Sequence, residues 1–75
     1  MDQKDIEMII YLNEYGNMVD TAERLYCTQS AVSLRLKKLE DELGVNIFDR
    51  IGKRLYLSEK GKLVLDYALR NLKGW

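Results

Sequence analysis

The chain has 75 residues, 47% of them hydrophobic, which allows one domain with a small core and argues against a disordered chain. With no histidine and a single cysteine, Cys27, an intrachain disulfide is excluded, and neither a structural zinc site, another metal nor a cofactor is expected. The formal net charge is zero but polarised: residues 1–27 carry two cations and six acids, and residues 28–75 carry ten cations and six acids.

Ile6, Ile9, Ile10 and Leu12 recur at helical spacing and predict a helix from about Lys4 to Tyr15. Gly16 ends it, because glycine accepts the left-handed conformation that follows a helix. A short helix is expected over Met18 to Leu25, with Asn17 as its cap and Ala22 and Leu25 facing inward. Tyr26 and Cys27 make a turn, where Cys27 reads as reduced core filler. Thr28 caps the next helix, which runs to Leu43 and stops at Gly44. At about 100° per residue, Val32, Leu36, Leu39 and Leu43 share one sector of it and form the expected buried stripe. Ser30, Ser33, Leu34 and Lys37 lie on the opposite side, with Gln29 at the helix start.

After Gly44 the pattern changes. Val45, Ile47 and Phe48 are β-prone, as are Leu55, Tyr56 and Leu57, and Gly52 lies between the two runs. They predict a two-stranded hairpin, or wing, with Phe48 and Leu57 packed on the helices. Arg50, Lys53 and Arg54 make it cationic. Ser58 then caps a last helix, with Glu59 in its first turn. Gly61 costs helix propensity there and points to close packing. Leu65, Ala68, Leu72 and Trp75 form one apolar stripe of this helix, while Leu63 and Tyr67 fall on another side. Two apolar surfaces on one terminal helix suggest a partner as well as a core, and Leu65, Ala68, Leu72 and Trp75 are the expected dimerisation residues of a homodimer.

A short helix, a tight turn and a longer helix with small polar side chains at its start and cations further along have the layout of a helix-turn-helix. The second helix of that motif enters the DNA major groove. Gln, Ser and Lys hydrogen-bond base edges or phosphates. Residues 28–38 carry Arg35, Lys37 and Lys38 with no acid, so the positive charge that DNA requires is local, not global.

The ordered pieces resemble the N-terminal DNA-binding domain of LysR-type transcriptional regulators. The likeness rests on Ala22-Glu-Arg-Leu25, Thr28-Gln-Ser-Ala-Val-Ser33, Leu39-Glu-Asp-Glu-Leu-Gly-Val45, Phe48-Asp-Arg50, Gly52 and Leu57-Ser-Glu-Lys-Gly61. It implies a mainly α winged helix-turn-helix over residues 1–57, then the start of a linker helix over residues 58–75 that joins two protomers. It also implies base contacts from Gln29, Ser30 and Ser33, a phosphate contact from Thr28, and wing contacts from Arg50, Lys53 and Arg54 near the minor groove or backbone. Lys37 and Leu34 complete the expected double-stranded DNA contact set. Leu34 stands where the family usually has arginine, Asp20 where a basic residue is common, and Val19 where a hydroxyl often meets phosphate. Regulators of this family continue into a co-inducer-binding domain, so a small-molecule co-inducer is expected only through a domain absent from this chain.

A winged-helix protein-interaction module is the alternative, favoured by the zero net charge and Asp20. An enzyme is not expected: histidine is missing, no glycine loop is built to cradle phosphate, and Glu40, Asp41 and Glu42 read as a solvated face. No apolar run is long enough to cross a bilayer and no signal-peptide core is evident, so a cytoplasmic protein with no membrane partner is expected.

Overall fold

The computed structural model describes the backbone of residues 1–73 and the side chains of residues 1–70. Helix α1 spans Gln3–Tyr15, α2 Met18–Arg24 and α3 Gln29–Leu43. The hairpin strands β1, Phe48–Ile51, and β2, Arg54–Leu57, follow, then α4, Glu59–Lys73.

The helix ends follow from local chemistry. Asp2 accepts from the Asp5 N–H at 2.9 Å and Asp5 accepts from the Asp2 N–H at 3.2 Å, a reciprocal cap that starts α1. Asn17 accepts from the Asp20 N–H at 2.8 Å and starts α2. Gly16 and Gly44 close α1 and α3 at φ of 75° and 69°, where a side chain would be strained. The turn between α2 and α3 is tighter than its residues suggest. Tyr26 adopts φ 57° with its ring 92% exposed, and the Cys27 N–H returns to the Ala22 carbonyl at 3.0 Å.

Met8, Ile9, Leu12, Val32 and Ile47 are buried at the centre, and Leu36, Leu39, Phe48 and Leu55 close around them. Thr21 is also buried, and its hydroxyl donates to the Asn17 carbonyl at 2.8 Å, so no polar group is left unpaired there. Three expectations about this core are corrected. Cys27 is exposed, because Leu25 covers that side of the core and the Cys27 backbone is spent on closing the turn. Leu43 is 41% exposed, because the chain reverses at Gly44 and brings Val45 onto the core instead. Glu40 is not a solvated acid: it is half-buried, and its carboxylate accepts from the Ile47 N–H at 2.7 Å, holding the loop that leads into the hairpin.

The hairpin is antiparallel, with Phe48 opposite Leu57 and Ile51 opposite Arg54. Phe48 is buried and Leu57 packs against the core, as expected. The wing is also tied to α1. The Leu55 N–H donates to the Gly16 carbonyl at 2.8 Å, and the Arg54 guanidinium donates to the Tyr15 and Glu14 carbonyls at 3.1 and 3.3 Å. These carbonyls are among those the last turn of α1 leaves without an intrahelical donor.

Ser58 joins α4 to the loop before the hairpin. Its hydroxyl donates to the Asn46 carbonyl at 2.5 Å and accepts from the Gly61 N–H at 2.9 Å. Gly61 lies against the Ile47 carbonyl, so the close packing expected there is present. Val64, Leu65 and Ala68 turn toward the core. Two residues of the expected dimerisation stripe also serve the chain's own core: Ala68 is buried and Leu65 half-buried, because that side of α4 packs on α1 and β2. The Leu72 side chain and Trp75 lie outside the described residues. Leu63 and Tyr67, one turn apart on the opposite face, are 70% and 66% exposed.

Candidate nucleic-acid interface

Thr28 sets the geometry of the outward face of α3. Its hydroxyl accepts from the Ala31 N–H at 3.1 Å, which leaves the N–H groups of the first helical turn, at Gln29 and Ser30, directed away from the helix. A helix start of this kind favours an anion such as phosphate. Beyond it, Gln29, Ser30, Ser33, Leu34 and Lys37 are all exposed along one side of α3. Burial of Val32, Leu36 and Leu39 on the other side fixes that orientation.

The hairpin completes the surface. Arg50 of β1 and Met18 of α2 join Gln29, Ser30, Ser33, Leu34 and Lys37 around one open depression of about 490 Å³. Two separate elements, α3 and β1, thus bring six of the nine expected DNA contacts onto one face. Thr28 caps α3 next to it, and Lys53 stands exposed at the hairpin turn. Arg54 does not join them in the same way, since its guanidinium is bound to the carbonyls of α1. Met18 was not anticipated. It precedes the apolar positions of α2, and only the fold places it against α3.

Electrostatics separate the cations further. Arg35 donates to Asp5 at 2.9 Å, with Asp2 at 3.8 Å from the same guanidinium nitrogen. The hydrogen bond to Asp5 raises the Arg35 pKa above its ordinary value. The Asp5 N–H, aided by the charge of Arg35, holds the Asp2 carboxyl below its usual value. Both shifts favour the charged forms of Arg35 and Asp2, and Arg35 serves as a strut between α1 and α3. Lys37, Lys38, Arg50 and Lys53 make no ion pair or side-chain hydrogen bond among the described residues. The flank formed by α1 and α2 is aromatic: Tyr11 and Tyr15 stack with centroids 6.1 Å apart, and Arg24 sits 5.2 Å from the centre of the Tyr11 ring. No helix among the described residues is long and apolar enough to cross a membrane.

The chain matches the family model described as bacterial regulatory helix-turn-helix protein, lysR family, over residues 3–62. It is 43% identical to the HTH-type transcriptional regulator YxjO of Bacillus subtilis (strain 168), over 91% of this chain and 23% of that protein. Among solved structures it is similar to a LysR-family transcriptional regulator from Eggerthella lenta, with a TM-score of 0.80 and 34% identity over 93% of this chain and 99% of that one. It is also similar to the CbnR_DBD of a protein–DNA complex, with a TM-score of 0.85 and 30% identity over 97% of this chain and 84% of that one. The chain spans between about a quarter and a half of the length of the first curated relatives it matches.

Proposed function

Since this chain belongs to the lysR family of bacterial regulatory helix-turn-helix proteins, we propose that it binds double-stranded DNA sequence-specifically as the DNA-binding module of a cytoplasmic transcriptional regulator, with no catalytic step of its own. The observation that carries this reading is the single face on which Gln29, Ser30, Ser33, Leu34, Lys37 and Arg50 meet. Helix α3 enters the major groove from that face. Gln29, Ser30 and Ser33 meet base edges, while Thr28 and Lys37 meet phosphates. Arg50 and Lys53 approach the minor groove or backbone from the wing. Arg54 acts mainly by holding the wing to α1. Residues 1–57 form the winged module, and residues 58–75 begin the linker helix.

Salt dependence tests the reading. Affinity for a duplex should fall steeply as salt rises, because each neutralised phosphate releases counterions. Lys53→Gln should weaken binding to all sequences alike and reduce the slope of log affinity against log salt by roughly one unit. A flat wild-type profile would sink the DNA-binding reading. An unchanged slope in Lys53→Gln would place the tip of the wing away from DNA.

Two copies pair through α4. Ala68 and Leu65 are used by the chain's own core, so the partner surface is the exposed Leu63 and Tyr67. A two-fold pair of this kind presents two copies of α3 to two half-sites. Sedimentation should show a dimer for the wild type and a monomer for Leu63→Asp. Pairing that persists unchanged in Leu63→Asp would exclude this surface.

A further inference from the structure

Leu34 is 69% exposed in the middle of a face whose other side chains hydrogen-bond or carry charge. A lone surface leucine needs no explanation. Here, however, a second apolar side chain, Met18, comes from a different helix to line the same depression. Leu34 has no donor or acceptor, so it contributes nothing to the reading of guanine, cytosine or adenine by hydrogen bonds. The major-groove edge of a base pair offers one apolar group, the 5-methyl of thymine.

Resting on the DNA-binding reading above, we infer that Leu34 is a specificity-determining residue that reads the thymine methyl at one position of the half-site. Met18 lines the same depression and adds a second apolar surface to it. The neighbours fit this role. Gln29 and Ser30 at the helix start and Ser33 one residue before Leu34 are placed to hydrogen-bond the flanking base edges, and Lys37 lies one turn further along α3. The leucine therefore meets its methyl in a groove that polar side chains have already positioned. Burying one methyl group is worth about a fourfold change in affinity.

The test begins with a duplex selected by this protein from a random pool. Each thymine is replaced in turn by uracil, which removes only the methyl. At one position the wild type should lose about fourfold in affinity, whereas Leu34→Ala should bind the thymine and uracil duplexes equally. At that position 5-methylcytosine should be bound better than cytosine. Leu34→Arg, selected afresh, should exchange thymine for guanine there, because arginine pairs with the guanine O6 and N7.

A wild type that tolerates uracil everywhere, on a duplex it binds with a steep salt dependence, would overturn this inference and leave the DNA-binding reading standing. A uracil penalty that survives in Leu34→Ala would also overturn it, by giving the methyl to another side chain. If no motif is enriched and affinity does not respond to salt, the DNA-binding reading falls and takes the inference with it.

Discussion

Gly61→Ala should destabilise the domain by about 2–3 kcal/mol, although alanine is the better helix former by about 1 kcal/mol. A methyl group at this position would sit 2.1 Å from the Ile47 carbonyl oxygen and 3.1 Å from the Leu57 side chain. Leu57 has room to adjust, but the carbonyl has little. It accepts from the Ser58 N–H at 2.9 Å, and the Ile47 N–H is held by Glu40 at 2.7 Å. Relief therefore requires α4 to move off the loop, which pulls Val64, Leu65 and Ala68 away from the core. For a domain of this size the unfolding temperature should fall by roughly 10–20 °C. Thermal unfolding followed by circular dichroism reads it directly. An equal or higher midpoint would mean that helix propensity outweighs the collision.

Gln29→Ala should cost about 1–3 kcal/mol on the specific duplex, roughly 5- to 150-fold in affinity, and little on random DNA. Gln29 is the first residue of α3, exposed, and its side chain makes no hydrogen bond within the described residues. Its removal should leave the fold intact, so a change in binding reports the contact itself. The side-chain amide offers a donor and an acceptor together, the pattern that pairs with adenine N7 and N6. Parallel titrations of a selected duplex and a scrambled one separate the outcomes. An equal loss on both would show that Gln29 touches only the backbone.

The sequence was most legible where a feature depends on neighbours in the chain. Asn17 and Thr28 mark the starts of α2 and α3, and Gly16 and Gly44 mark the ends of α1 and α3, because caps act across three or four residues. The Asp2 cap is equally local, with Asp2 and Asp5 at the required spacing. The side of α3 that faces outward was readable for the same reason: Val32, Leu36 and Leu39 recur at helical spacing. Failures came where the outcome depends on the path of the chain elsewhere. Leu43 looks buried on a helical wheel, yet the turn at Gly44 moves Val45 into the space. Leu65 and Ala68 share one apolar face of α4, but a wheel cannot say that α1 and β2 lie against it. Arg35 and Arg54 read as free cations because their partners lie 30 to 40 residues earlier in the sequence.

The Asp5–Arg35 strut and the Arg54 clamp have a consequence for how such a protein searches a genome. Of the six cations between residues 28 and 54, two are committed to the fold, and Lys37, Lys38, Arg50 and Lys53 have no side-chain partner among the described residues. If all four meet phosphate, as the proposed DNA-binding role has it, the salt slope should be about −4 for each protomer. A loose electrostatic grip of that size holds a protein only briefly at any random site. Dwell time is then set mostly by base recognition, and scanning proceeds by short slides with frequent release into solution. On the proposed role, the two tethered arginines would thus trade residence on wrong DNA for a faster return to the pool from which the correct site is found.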